Sequence, residues 1–337
     1  MRLLGLTLTE MQQLVVDLGM PKFTAGQIMQ WIYVKHVRQI DQMTNISKAN
    51  RELLKSRCEL GVADPVRTSV SSDGTEKYLF PACDGKLVET VYIPDKDRAT
   101  LCVSSQVGCK MNCAFCATGK QGFDGNLSAG DILNQILTID AKYPLTNVVF
   151  MGQGEPLDNY DNVSRAIEIL TSDYGLAWSP KRITVSTVGL RKNLRRFLDN
   201  ESCHLAVSLH FPMHEQRSRY MPAEKQLPIG ELVETLRGYD FSHQRRLSFE
   251  YIMFDGINDS LVFAKELLKV LRGLDCRINL IPFHKIPELE LEGSSTEKMT
   301  AFRDWLTGHG LFTTIRASRG QDIEAACGLL RIAAKQQ

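Results

Sequence analysis

Between Leu101 and Ala317 the chain repeats one pattern: a short apolar run rich in β-branched residues, then a longer stretch with apolar residues at helical spacing. The runs 101–105, 147–151, 182–187, 204–209, 247–253, 277–282 and 312–317 read as strands, and 129–140, 163–170, 192–198, 229–236, 262–271 and 299–306 as the helices between them. Alternation of this kind requires a parallel sheet, because a parallel neighbour is reached only by a crossover long enough to hold a helix. The expected fold class is therefore α/β, as a full or partial barrel of the (β/α)6 type, with an open doubly wound sheet as the second solution. In both, reactive groups collect at the C-terminal ends of the strands.

The rest of the chain divides around this core. Residues 1–60 read as a helical accessory unit, with Leu14, Val15 and Leu18, then Ile28, Trp31 and Ile32, at helical spacing and Gly19 and Pro21 as breakers. Residues 61–94 read as a small antiparallel β extension, with turns at Ser72-Asp73-Gly74-Thr75 and Asp84-Gly85-Lys86. The core is expected over 95–318 and a tail over 319–337.

Cys109, Cys113 and Cys116 stand at a Cys-x3-Cys-x2-Cys spacing inside the run 108–119, directly after the first strand of the series. An iron–sulfur cube needs four thiolate or equivalent ligands, so three on one loop leave one iron open to a substrate. A structural zinc site wants four ligands from paired Cys or His clusters, and no second Cys-x2-Cys pair is present. Cysteines without such a task are usually isolated and buried as small hydrophobes. Ser128-Ala129-Gly130-Asp131 then reads as a capping box, which holds the cysteine loop between a strand and a helix.

The chain has nine cysteines, an odd number without framework spacing, which argues against a secreted disulfide scaffold and for metal or catalytic use. Outside the trio stand Cys58, Cys83, Cys102, Cys203, Cys276 and Cys327. The length of 337 residues, 43% of them hydrophobic, suits a globular protein with a substantial core. No apolar run approaches the roughly eighteen residues of a membrane span, and the first residues are too short an apolar run for a signal peptide. A cytoplasmic protein without a membrane partner is expected. The net charge of +1 announces no nucleic-acid partner, but residues 1–60 hold eight basic against five acidic residues, and Arg191, Lys192, Arg195 and Arg196 form a further basic run. A solvated helix face explains either cluster as well as RNA contact does.

Other polar groups fall at strand ends. Met151-Gly152-Gln153-Gly154-Glu155-Pro156 follows the second strand, where glycines let the backbone approach a ligand and Glu155 can accept from an ammonium group. Ser186 closes the third strand, Ser208-Leu209-His210 the fourth, and His284 follows the sixth. Each alone is an ordinary satisfied polar residue; together they outline one pocket rim.

The cysteine loop with these strand ends resembles the radical S-adenosylmethionine superfamily. Val88-Glu89-Thr90-Val91-Tyr92-Ile93-Pro94, Leu101-Cys102-Val103-Ser104-Ser105-Gln106-Val107-Gly108-Cys109, Met151-Gly152-Gln153-Gly154-Glu155-Pro156-Leu157 and Asp322-Ile323-Glu324-Ala325-Ala326-Cys327-Gly328 narrow the likeness to the RlmN family. Its members are dual-specificity ribosomal and transfer RNA adenine C2-methyltransferases. The likeness runs from the N-terminal helices to Cys327.

The resemblance implies a partial radical SAM barrel in which Cys109, Cys113 and Cys116 hold a [4Fe–4S] cluster and the amino and carboxylate groups of S-adenosyl-L-methionine bind its open iron. Gly154, Glu155, Ser186, Ser208, Leu209 and His210 match the family's cofactor contacts, and His284 stands where many members carry asparagine, with the same capacity to donate. Cys327 matches the cysteine that accepts a methyl group from one S-adenosylmethionine. A second is cleaved to a 5′-deoxyadenosyl radical that takes hydrogen from that S-methyl group, and the carbon radical adds to adenine C2. Glu89 matches the proton acceptor. Cys102 matches the cysteine that resolves the protein–RNA adduct, ending in a disulfide with Cys327 of the transient kind a reducing cytosol allows. The implied partners are 23S rRNA at the peptidyl-transferase centre, the tRNA anticodon loop and an electron donor such as flavodoxin or ferredoxin, with a monomeric enzyme. The target adenosine must be turned out of its fold, and the N-terminal unit with the Arg191–Arg196 basic run would hold phosphates, which position without specifying. Two alternatives stand beside this: a C8-adenine rRNA methyltransferase of the antibiotic-resistance type, and a non-catalytic metal-stabilised RNA-binding module. Gly320 and Gly328 are expected to leave the tail free to approach the cluster.

Overall fold

The computed structural model describes residues 1–82, 85–139, 142–243, 245–286 and 289–332. Thr7 caps α1 (Leu8–Asp17) through a reciprocal box with Glu10. Gly19, at φ 73°, turns the chain away before α2 (Thr24–Tyr33), and Ser47 caps α3 (Lys48–Arg57) by accepting from the Asn50 amide. Strands β1 (Arg67–Val70), β2 (Glu76–Pro81), β3 (Leu87–Asp95) and β4 (Arg98–Cys102) then pair antiparallel in succession. A small separate hairpin follows, made of β5 (Gln106–Gly108) and β6 (Phe123–Asn126), with α4 (Ala117–Gln121) inside its loop.

From α5 (Ala129–Leu137) the alternation is regular. It runs through β7 (Leu145–Phe150), α6 (Tyr160–Thr171), β8 (Ile183–Thr187), α7 (Arg191–Asn200) and β9 (His204–Ser208). After α8 (His214–Tyr220) and α9 (Ile229–Arg237) come β10 (Leu247–Met253), α10 (Leu261–Leu271), β11 (Arg277–Pro282), α11 (Thr296–Gly308) and β12 (Thr313–Ile315).

All but β5 and β6 form one ten-stranded sheet in the order β1-β2-β3-β4-β7-β8-β9-β10-β11-β12, parallel from β4 onward. The strand order only ascends, which decides between the two expected solutions. A doubly wound sheet must reverse its order once; here every crossover of the usual hand puts its helix on the same face, and the sheet curls. Its edges, β1 and β12, do not pair with each other, so the barrel is partial.

The N-terminal helices are fused to this core. A Cβ on Gly5 would lie 2.3 Å from the Gly130 amide nitrogen, so the backbones meet where only glycine fits. Arg2 Nη1 donates to Asp131 Oδ1 at 2.9 Å, and Ala63 and Asn134 exchange hydrogen bonds of 2.9 and 2.8 Å. Leu3, Met11, Val15, Ile28 and Ile32 enter the same buried cluster as Leu101, Val148 and Leu205.

The capping box at Ser128 and Asp131 forms as expected. The antiparallel strands form as expected and extend the main sheet, because β4 pairs with β3 on one side and β7 on the other. β4 also begins at Arg98, earlier than the run 101–105, because the β3–β4 turn places Arg98 opposite Asp95. The elements α4, α8, β5 and β6 are too short to show a period and were not expected. Asp84 of an expected turn, Asp140 of an expected helix, Cys83 and residues 333–337 lie outside the described residues.

Candidate active site

The strand ends meet at one mouth. After β7 the chain turns at Gly152, where a Cβ would stand 2.7 Å from the Val103 carbonyl oxygen, and at Gly154, at φ 99°, where it would stand 2.6 Å from Gln106 Cβ. This tight turn delivers Glu155 into the interior. Its Oε1 accepts from the Leu157 amide at 3.0 Å and from Thr187 Oγ1 at 2.6 Å, and its Oε2 accepts from the Val188 amide at 2.9 Å. Burial pushes its carboxyl up to about 7 against those donors. A carboxylate offers about four acceptor positions, so capacity for one further donor remains.

His210 sits in the left-handed region at φ 54° and Nδ1 accepts from the Ile252 amide at 3.1 Å. Burial, helped by Arg217, pulls its pKa down to about 3. The ring is therefore neutral with its hydrogen on Nε2, packed edge-on against Phe115 at 5.0 Å. Beneath it lies Arg217, fully buried. Its Nη2 donates to the Val188 and Ser208 carbonyls at 2.9 and 3.0 Å, its Nε to the Leu209 carbonyl at 3.2 Å, and its Nη1 to the fully buried Glu224. One guanidinium thus ties together the ends of β8 and β9.

The cysteine loop closes the mouth from above. Gly108, at φ 70°, lets Cys109 donate its amide to the Gly122 carbonyl at 2.8 Å across the β5–β6 hairpin, and Cys116 stands directly before α4. Met111 donates its amide toward Cys109 Sγ at 3.5 Å. Burial, then the neighbouring sulfurs and carboxylates, raises all three thiols, Cys109 to about 12. Among the described residues no three His, Cys, Asp or Glu side chains converge on a single ion, as a structural zinc site would need. A cube makes no such demand, because each thiolate binds a different iron. The donor set and the cavity beside it fit that group.

Two cavities result. The inner one, of about 160 Å³, is lined by Cys109, Cys113, Cys116, Gly154, Glu155, Ser186, Ser208 and His210. The outer one, of about 350 Å³, is lined by Cys102 and His284. Met151, Ile281, Arg316 and Cys327 line both and form the wall between them. His284 therefore stands apart from the other expected cofactor contacts, with Nε2 2.9 Å from Ser318 Oγ. The Leu209 side chain is fully buried and lines neither cavity.

Cys102 faces Val91 across β3–β4 and packs with Ala325 and Leu330 of the tail. Burial and Cys327 push its thiol up to about 12, and Arg316 works the other way. The charge of Arg316 is held against burial by Cys327 first, then Glu250 and Cys102. Glu250 accepts from Ser248 Oγ and Asn279 Nδ2 at 3.0 and 2.8 Å, while its Oε2 has no partner among the described residues. Glu89 lines neither cavity. It is buried on the face of β3 that carries Val91, and its Oε1 meets Lys77 Nζ at 2.9 Å. Burial raises its carboxyl pKa, with Lys77 opposing.

Sequence reasoning missed Arg316, Glu250, Arg217 and Lys77. Arg316 lies at the end of an expected strand and Glu250 is an acid inside an apolar one, so both carried a signal. Arg217 sits in the seven-residue α8, which shows no period, and carried none.

Residues 1–60 match the ribosomal RNA large subunit methyltransferase N-terminal domain, and residues 103–267 match the radical SAM superfamily. The class is thus a radical SAM core carrying that N-terminal domain. Over 335 residues the chain is 62% identical to a Bacteroides fragilis protein named "Probable dual-specificity RNA methyltransferase RlmN", covering 99% of this chain and 97% of the relative. It is 41% identical over 326 residues to the dual-specificity RNA methyltransferase RlmN of Syntrophotalea carbinolica, covering 96% and 88%. A crystal structure of a radical SAM methyltransferase from Sphaerobacter thermophilus matches with a TM-score of 0.93 at 41% identity, covering 98% of this chain and 99% of the other. The chain belongs to the RlmN family.

Proposed function

We propose that this protein methylates C2 of adenosine in 23S rRNA, at the peptidyl-transferase centre, and in the tRNA anticodon loop, passing the methyl group through Cys327. The observation that carries this reading is the position of Cys327 in the wall between two cavities, with three cysteines on one side and Cys102 on the other. A residue that takes a group from a cofactor and gives it to a base needs access to both.

When bound, a [4Fe–4S] cluster on Cys109, Cys113 and Cys116 supplies the electron that cleaves S-adenosylmethionine, the source of both the methyl group and the hydrogen-abstracting radical. The chain's own groups do the rest. Glu155 has an acceptor position left for the cofactor's ammonium, and Ser186, Ser208 and His210 offer neutral donors around it. The Arg316 guanidinium stands beside Cys327, the nucleophile of the methyl transfer. The outer cavity admits the flipped adenine, where the Cys102 thiolate resolves the adduct: its sulfur bonds to the Cys327 sulfur, the bond from that sulfur to the transferred carbon breaks, and the carbon keeps the electron pair and takes a proton to become the methyl group on C2. Glu89 takes the C2 proton once the tail lying over Val91 and Cys102 lifts. Lys77 keeps Glu89 charged for that task.

Residues 1–60 serve as the RNA-contacting domain, 61–94 as a β extension, 95–318 as the core and 319–337 as the methyl-carrying tail. A flavodoxin or ferredoxin supplies electrons to the cytoplasmic, monomeric enzyme. Mass spectrometry of RNA from cells lacking this protein tests the assignment. Loss of 2-methyladenosine, restored by the wild-type gene and not by Cys327→Ala, supports it, and full retention would overturn it.

A further inference from the structure

The tail is fastened on both sides of Cys327, and the two fastenings differ in kind. Upstream, the Gly320 amide donates to Asp73 Oδ2 at 2.9 Å, while Asp322 accepts from Ser71 Oγ at 2.5 Å and from the Ser72 amide at 3.0 Å. Two carboxylates are thus exchanged between the β1–β2 turn and the tail. The turn is built to receive it: Ser71 donates its amide to the Thr75 carbonyl at 2.8 Å, and Asp73 Oδ1 accepts from the Thr75 amide at 2.9 Å. Lys77, on the next strand, donates to the Glu324 carbonyl at 3.4 Å as well as to Glu89. Downstream, α4 takes over. The Ala117 amide donates to the Gly328 carbonyl at 2.8 Å, and buried Thr118 Oγ1 donates to the Leu330 carbonyl at 2.6 Å. Because Cys116 is the residue directly before α4, the second fastening is continuous with the cysteine loop.

We infer that Asp322 and Asp73 are positioning residues for Cys327, and that the β1–β2 turn is the releasable half of a two-point dock whose fixed half is α4. The inference rests on reading Cys327 as the methyl carrier. Cys327 lines both cavities from a segment held on either side, and seating a methyl group toward one cavity and then a base-bound carbon toward the other requires one pin to give. The upstream pin is the weaker: Asp322 is exposed and water competes for its hydrogen bonds, whereas Thr118 is buried. The backbone between the pins is already unusual, with Gly320 at φ 61°, Glu324 at φ 53° and Gly328 at φ 84°. Glu324 has a side chain in a region L residues seldom occupy, and relaxes when the turn lets go.

Cluster-loaded protein, kept anaerobic, is treated with iodoacetamide, and the peptides containing Cys327 and Cys276 are followed by mass spectrometry, the methylated Cys327 peptide being resolved by its mass. In Asp322→Ala, Cys327 is expected to react severalfold faster than in the parent, with Cys276 labelling and iron content unchanged. Asp322→Asn, which keeps an acceptor for the Ser72 amide, should restore most of the parental rate, a rescue that general loosening would not give. If Asp322→Ala loses its iron or exposes Cys276, Ser71→Ala, which removes only the hydroxyl donor, is read by the same ratio. Equal Cys327 labelling in the parent and the intact variant overturns the dock. Methylation of another cysteine in Cys327→Ala protein would instead overturn the carrier reading, and leaves the labelling result to stand by itself.

Discussion

Ile252 donates its backbone N–H to Nδ1 of His210 at 3.1 Å, which leaves Nε2 as the nitrogen bearing hydrogen. The folded pKa of about 3 lies below the unfolded value of about 6.5. Between these values the unfolded chain binds the proton and the folded chain does not. The contribution of His210 is therefore fully present above about pH 6.5 and is lost as pH falls toward 3, at up to about 1.4 kcal/mol per pH unit. Urea unfolding at several pH values should show this slope, and His210→Gln should reduce it.

Arg217 and Glu224 form a pair with both side chains fully buried. Removing one partner of such a pair costs about 3–5 kcal/mol, because the other charge is left without compensation. Arg217→Met should lose about that much in urea unfolding, and should also free the Val188, Ser208 and Leu209 carbonyls. Weaker binding of S-adenosylmethionine in protein that remains folded, measured by calorimetry, is the second expected result.

Cys102→Ala should retain the brown colour and iron content of anaerobically purified protein and accumulate a covalent protein–RNA species. Cys113→Ala should be colourless and form none. Denaturing gel electrophoresis with RNase treatment separates the two outcomes, and a Cys102→Ala protein that never cross-links contradicts the resolving role.

Glu89→Gln removes the proposed base and keeps the shape of the site. General-base catalysis is worth about 10²–10⁴-fold, so formation of 2-methyladenosine should fall by about that factor while methylation of Cys327 proceeds. Lys77→Met should move the same step in the same direction, because Glu89 then loses the cation that opposes its burial. Single-turnover assays on protein already methylated at Cys327 isolate the step.

Much of this arrangement was legible in the residues. Alternating strands and helices fixed the parallel sheet, and the strand-end rule led to Glu155, Ser186, Ser208 and His210, all of which line the inner cavity. His284, two residues beyond β11, lines the outer cavity instead, beside Ser318. The Leu209 side chain turns into the core, because adjacent residues at a strand end point to opposite sides. Arg217 could not be read from sequence, since its role arises from three carbonyls that only the folded chain brings together. Gly320 and Gly328 both lie in the left-handed region and form the bends of the tail on either side of Cys327.

The contact between Gly5 and Gly130 sets the attitude of the N-terminal helices to the barrel mouth with no cushion of side chains between them. Together with Arg2–Asp131 and Ala63–Asn134 it leaves no hinge at that seam. Under the proposed RNA-contacting role of those helices, an RNA they grip is offered to the mouth at one fixed angle and distance. Fit must then come from the nucleic acid, and strands that deform easily there are the ones this enzyme can use.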